Sequence, residues 1–102
     1  MTVMEFSIFP LDKGTGLSKY VAEVIKIVEK SGLPFNLGPM GTVVEGELAD
    51  LQKLLENCHE YMESVSDRVY MTAKFDTRKG AKDRITGKIE SVKKALNSND
   101  LS

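Results

Sequence analysis

Phe35-Asn36-Leu37-Gly38-Pro39-Met40-Gly41-Thr42-Val43-Val44-Glu45-Gly46 reads as two short extended pieces joined by a turn. The first piece, residues 35–37, is bounded by Pro34 and by Gly38-Pro39, residues that break regular structure. The second, residues 42–46, reads as a strand. Helical patterns flank both. On the N-terminal side Val21, Val24, Ile25 and Val28 fall on one side of a helix that carries Glu23, Lys26, Glu29 and Lys30 elsewhere. Ser18 is expected to cap its start, and Ser31-Gly32 to stop it, with Gly32 in the left-handed conformation. On the C-terminal side Leu51, Leu54, Leu55, Cys58 and Met62 recur at helical spacing from about Ala49 to Val65.

Two strands between two helices, rather than one, decide the architecture. Residues 2–9 alternate Met4, Phe6 and Ile8 against Val3, Glu5, Ser7 and Phe9, a period of two that predicts a strand ending at Pro10. Residues 12–16 read as a turn. Residues 68–77 alternate Val69, Met71, Ala73 and Phe75 with Tyr70, Thr72, Lys74 and Asp76, and a last helix is expected after Gly80 with Ile85, Ile89, Val92 and Leu96 in register. The order is strand, helix, strand, strand, helix, strand, followed by an extra helix. The first six elements are those of an α+β, ferredoxin-like βαββαβ antiparallel sheet. In that layout both main helices cover one sheet face. The other face, expected to carry Val3, Glu5, Ser7, Phe9, Val43, Glu45 and the polar residues of the last strand, suits a second subunit and a small polar ligand.

The totals set bounds. A chain of 102 residues suits one domain, 1–102. A formal net charge of −1 lacks the basic excess that general binding to nucleic acid or anionic membrane needs. The lone Cys58 cannot form an internal disulfide, which points to a reducing compartment, and the N-terminus lacks the pattern of a signal peptide, so a cytoplasmic location is expected. No run is long enough to span a membrane.

Few residues suggest chemistry. Three glycines and a proline in residues 38–46 set an unusual backbone path where a ligand or another chain can approach closely. Thr42 can donate or accept a hydrogen bond, and Glu45 can accept two or share a proton with a basic ring nitrogen; the competing reading is a tight hairpin with a solvated glutamate. Phe9 could stack on a flat ring or pack against another subunit. Asp76 and Arg78 share a face and read as a surface ion pair or a subunit contact. Cys58 and His59 are neighbours on a helix, diverge by roughly 100°, and have no further Cys or His with which to build a zinc site. Gly14-Thr15-Gly16 lacks the ending of a phosphate-binding loop.

Together, Glu5-Phe6-Ser7 with Pro10, Ser18 with Tyr20-Val21, Gly38-Pro39-Met40-Gly41-Thr42-Val43-Val44-Glu45-Gly46, Arg68-Val69 and Asp76-Thr77-Arg78 resemble the small thiamine-binding family related to modules of the YkoF type. The similarity runs over roughly residues 2–96, and Met40-Gly41-Thr42 with Glu45-Gly46 is its most specific part. The resemblance implies a ferredoxin-like fold, a homotetramer built as a pair of dimers, and no established catalysis; a non-enzymatic role with no cofactor is expected. Its implied ligand is thiamine or the hydroxymethylpyrimidine moiety, bound for transport, storage or sensing. Carried over residue by residue, Ser7, Thr42 and Glu45 are candidate polar contacts and Asn36, Gly38 and Met40 candidate pocket wall; Phe9, from its place at the end of the first strand, is a candidate ring partner. Lys19 stands where relatives often have proline. The rivals are an oligomeric interaction module with no ligand, a small enzyme on the same fold, and an RNA-recognition domain. An acylphosphatase would want an arginine in residues 10–17, which supply only Lys13. An RNA reader would want paired aromatics with basic flanks, which Glu5 and Glu45 oppose.

Overall fold

A computed structural model describes residues 1–80 together with Ile85, Val92, Lys93, Ala95 and Leu96. Six elements follow in order: β1 (Thr2–Pro10), α1 (Ser18–Lys30), β2 (Phe35–Leu37), β3 (Thr42–Gly46), α2 (Leu48–Val65) and β4 (Val69–Thr77). The strands form one antiparallel sheet in the order β2-β3-β1-β4. This is the ferredoxin-like α+β arrangement that the element order predicts. The helix expected after Gly80 falls largely outside the described residues, Ile89 included; the five described positions there are helical.

The period-two pattern of β1 becomes an alternation of burial. Met4, Phe6 and Ile8 are buried, whereas Val3, Glu5, Ser7 and Phe9 are half-buried. The dry side chains meet Val24 and Val28 of α1, Leu51, Leu54, Cys58 and Met62 of α2, and Val44 of β3 in one hydrophobic cluster. The α2 residues recur at helical spacing, so one turn after another delivers an apolar side chain to the same sheet face. Full burial of each such side chain contributes roughly 1.5–3 kcal/mol relative to exposure. On the same side of β4, Met71 and Phe75 remain exposed, although the alternation predicts them as inward-facing.

Two helix-end expectations part ways. Gly32 has φ +74 and its N–H donates to the Glu29 carbonyl at 3.2 Å, the left-handed stop read from Ser31-Gly32. Ser18, by contrast, is not the cap of α1. Leu17 occupies that position in a helical conformation, with its carbonyl accepting from the N–H groups of Tyr20 and Val21, and no side chain caps the end. A hydroxyl cap needs an extended backbone at the capping residue. Here the helical turn already includes Leu17, which leaves Ser18 inside the helix.

The turn that leaves β1 is tied to the start of β4. The Asp12 carboxylate accepts from the Ser66 hydroxyl and from the Asp67 N–H at 2.9 Å. The Ser66 bond, followed by that of Asp67, holds the Asp12 carboxyl below its usual range.

Glycines close the β2–β3 hairpin by being small, and not through left-handed φ. The Gly38 N–H donates to the Gly41 carbonyl at 2.9 Å around Pro39-Met40. A Cβ on Gly38 would lie 2.8 Å from the Gly41 carbonyl oxygen, and one on Gly41 would lie 3.1 Å from the Phe6 carbonyl oxygen. Gly16, in contrast, has open space around it. Gly38→Ala is therefore expected to lower unfolding free energy by about 1–3 kcal/mol, the cost of overpacking, whereas Gly16→Ala is neutral or slightly stabilising. Urea denaturation midpoints of the two variants check this, and equal midpoints would refute the close-packing account.

Candidate functional site

The site begins with a mismatch of strand lengths. β1 pairs with β4 from Thr2 to Pro10 but with β3 only from Thr2 to Phe6. Backbone groups along a strand point alternately to its two neighbours. The Leu11 N–H donates to the Arg68 carbonyl at 2.8 Å and the Arg78 N–H to the Met1 carbonyl at 3.3 Å, so odd-numbered residues of this stretch bond toward β4. The Glu45 N–H donates outward to the Pro34 carbonyl at 3.0 Å, which leaves even-numbered residues of β3 to face β1. Even-numbered residues of β1 therefore face β3. Past Phe6 these are Ile8 and Pro10, and β3 no longer runs beside them. Pro10 has no N–H to leave unpaired. Ile8 has both an N–H and a carbonyl on that side, and neither has a backbone partner among the described residues.

A cleft of about 290 Å³ opens at this notch. Phe6, Ser7 and Ile8 floor it, Leu37 to Thr42 wall it on the hairpin side, and Val21, Val24 and Ile25 of α1 wall it opposite. The volume is near the lower end of small-molecule sites, about 300 Å³. None of these lining residues is charged. Val21 and Ile25, which read as core in the sequence, are exposed and half-buried and line the cleft.

Four of the seven residues singled out in the sequence meet here. Gly38, Met40 and Thr42 belong to the hairpin wall, and Ser7 borders the floor. Met40 is 87% exposed at the hairpin tip. Thr42 pairs with Phe6, so its side chain lies on the helix-bearing side of the sheet; it is 6% exposed, and its hydroxyl makes no hydrogen bond among the described residues. Ser7 pairs with Thr72 on the opposite side, so main chain is what it offers the cleft.

Asn36, Glu45 and Phe9 lie apart from the cleft, on the face that no described helix covers. Register puts Asn36 beside Val43 and Glu45 beside Val3, with Glu5, Lys74 and Asp76 on the same face. Thr42 and Glu45 are three residues apart on one strand and hence face opposite ways. Glu45 is only 3% exposed and borders a small depression with Met1, Leu33, Pro34, Gly46, Glu47 and Asp50. Phe9 stacks on Tyr70, with centroids 5.3 Å apart, so its flat-ring partner within the chain is a tyrosine. Lys74 Nζ lies 3.3 Å from Glu5 Oε1.

The sequence pattern that defines the thiamine-binding proteins matches residues 4–93, which spans the whole notch. The chain belongs to the thiamine-binding protein family. Among relatives, the UPF0045 protein MJ1052 of Methanocaldococcus jannaschii is 37% identical over 90 residues, 88% of this chain and 90% of its own. YqgV of Bacillus subtilis is 35% identical over 102 aligned residues, covering 94% and 98%. The crystal structure of the M. jannaschii protein matches with a TM-score of 0.82 at 36% identity, covering 90% of this chain and 95% of that one. A Thermotoga maritima protein provisionally assigned to thiamine biosynthesis or salvage matches with a TM-score of 0.79, covering 89% and 97%; at 20% identity it shows a shared fold.

The remaining chemistry-bearing groups of this thiamine-binding family chain lie elsewhere. A wider groove of about 820 Å³ runs between α1 and α2 past Lys30, Asp50, Lys53 and Glu60, and includes none of the residues singled out above. Among the described residues no cluster of His, Cys, Asp and Glu could hold a metal, and no helix is long and apolar enough to cross a membrane. Cys58 is fully buried on α2, and burial pushes its thiol up from 9.0 to about 11. The unfolded chain then ionises first. The Cys58 contribution to stability is complete below pH 9 and is lost as pH rises toward 11. Cys58→Ala is expected to flatten the alkaline fall in stability across that window, and a thiol reagent should label the parent protein only in denaturant. Fast labelling of the folded protein would contradict both.

Proposed function

We propose that this chain binds thiamine or its hydroxymethylpyrimidine moiety without transforming it, as a carrier, store or sensor. What carries the reading is the family match across residues 4–93, which includes the Met40-Gly41-Thr42 stretch that forms one wall of an uncharged cleft. The cleft is sized for one small molecule and provides van der Waals walls on two sides. Its lining offers the hydroxyl of Thr42 but no acid, base or activated nucleophile, which supports binding over catalysis. The face that no described helix covers, with Val3, Val43, the Phe9–Tyr70 stack and the Glu5–Lys74 pair, supports assembly into a homo-oligomer arranged as a dimer of dimers. A cytoplasmic setting fits the lone buried thiol.

The interaction-module reading draws on one observation, the apolar tip of the hairpin, where Met40 and Leu37 are exposed. Titration separates the two. A thiamine binder gains thermal stability with ligand concentration by mass action, and a ligand-free module does not. Calorimetry is expected to give a dissociation constant in the micromolar range, about −8 kcal/mol, for thiamine or for the pyrimidine alone. Absence of heat and of any thermal shift at millimolar concentrations of both would overturn the proposal.

A further inference from the structure

β4 ends the sheet, and no described strand lies beyond it. The Leu11–Arg68 and Arg78–Met1 bonds fix its parity: even-numbered residues of β4 bond back to β1. Val69, Met71, Ala73 and Phe75 therefore aim their N–H and carbonyl groups outward, and none of them has a backbone partner there among the described residues. Edge strands that stay unpaired are usually short, or carry proline, a bulge or an inward-pointing charge. β4 has none of these devices. It runs for nine residues without proline and pairs with β1 without a skipped position. Its side chains on the helix-bearing side are those same four apolar residues, and Met71 and Phe75 are 38% and 42% exposed.

We infer that a second copy of this chain adds its own β4 to this edge, antiparallel about a two-fold axis at Thr72, so that two sheets become one continuous sheet. The charges select the register. With the axis at Thr72, Arg68 of each copy lies opposite Asp76 of the other. Lys74 lies opposite the Tyr70 ring, which stacks on Phe9 within its own chain. On the helix-bearing side Val69 meets Phe75 and Met71 meets Ala73, each pair setting a large side chain against a smaller one, and these are the pairs that exchange hydrogen bonds. An axis at Met71 would oppose Arg68 to Lys74, an axis at Ala73 would oppose Arg68 to Arg78, and an axis at Lys74 would oppose the two lysines. Like charges directly opposite destabilise a strand pair. Axes farther along in either direction leave less of β4 paired. The contact needs no ligand, so it stands apart from the thiamine-binding reading. It deepens the assembly reading, because a dimer of dimers needs two different contacts and the open sheet face supplies one.

The test uses 15N-labelled full-length protein together with native mass measurement. The amides of Met71, Ala73 and Phe75 have no partner within the described chain, so slow hydrogen exchange at all three is the signature of edge pairing. Ala73→Pro removes an outward donor and leaves the β1–β4 ladder intact; it is expected to halve the native mass. Thr72→Cys is expected to form an inter-subunit disulfide under mild oxidation, because residues facing each other on the axis have Cα atoms about 4.5 Å apart. Lys74→Cys is expected to form none, since the two copies of that residue lie about 13 Å apart in this register. Arg68→Glu should weaken association by about tenfold, and exchanging the charges with Arg68→Asp and Asp76→Arg together should restore it. Exchange of the three amides at the rate of open backbone, or an Ala73→Pro protein of unchanged mass, would overturn the inference and leave face-to-face assembly standing. A disulfide through Lys74→Cys and none through Thr72→Cys would overturn it as well. A parent protein that stays monomeric at the concentrations used for NMR would remove the inference and the assembly reading together, whatever the chain binds.

Discussion

The hydrogen-bonding demand of β1 governs the arrangement of this molecule. β1 is a central strand, so its backbone must be matched on both sides, and β4 meets that demand along all nine residues while β3 meets it along five. The shortfall is set by the hairpin. Gly38 and Gly41 close so tightly around Pro39-Met40 that β3 cannot begin before Thr42. The chain then handles the uncovered stretch residue by residue. At Pro10 it uses a residue with no donor, and at Ile8 it leaves the pair intact beside a cleft. An unpaired backbone pair under a lid of apolar side chains would cost free energy with no return, whereas beside an open cleft it is available to water or ligand.

The same alternation sorts the polar residues into two groups that cannot act on one small molecule. Thr42 stands with Phe6 on the helix-bearing side, and Glu45 stands with Val3 on the other. Only a shift of one residue in the β1–β3 register would exchange their sides, and such a shift would push Met4 and Val44, both fully buried, out of the core. Register here is thus held by the hydrophobic cluster. The separation of Thr42 from Glu45 is a consequence of core packing, and a carboxylate that looks paired with a hydroxyl in the sequence becomes part of a different surface.

Much of the fold was legible because its signals are periodic. The alternation in residues 2–9, the spacing of Leu51, Leu54, Cys58 and Met62, and Gly32 after α1 each rest on local geometry that the chain carries with it. The start of α1 was not legible, because a Ser before an apolar run looks like a cap whether or not the preceding residue is already helical. Val21 and Ile25 read as core for a related reason: periodicity reports which way a side chain points, and only the neighbouring hairpin decides whether the space in front of it is filled. Of the candidate site, an unusual density of glycine marked the stretch that holds Thr42, and the family resemblance supplied Gly38 and Met40 as pocket wall. Ile8 was missed altogether, since its chemistry lies in main-chain atoms common to every residue and is exposed only by where β3 stops.

A cleft walled by neutral side chains imposes a constraint of its own. A cation drawn into it would give up hydration without gaining a carboxylate, and a phosphate would do so without gaining a cation; both penalties exceed what an apolar wall returns. A neutral ligand meets neither penalty, and its apolar faces gain contact with Val21 and Ile25. Glu5 and Glu45 lie on the other side of the sheet, and neither is among the residues that line the cleft. The neutrality of its own walls therefore governs what this notch admits, and the net charge of the chain has little part in it.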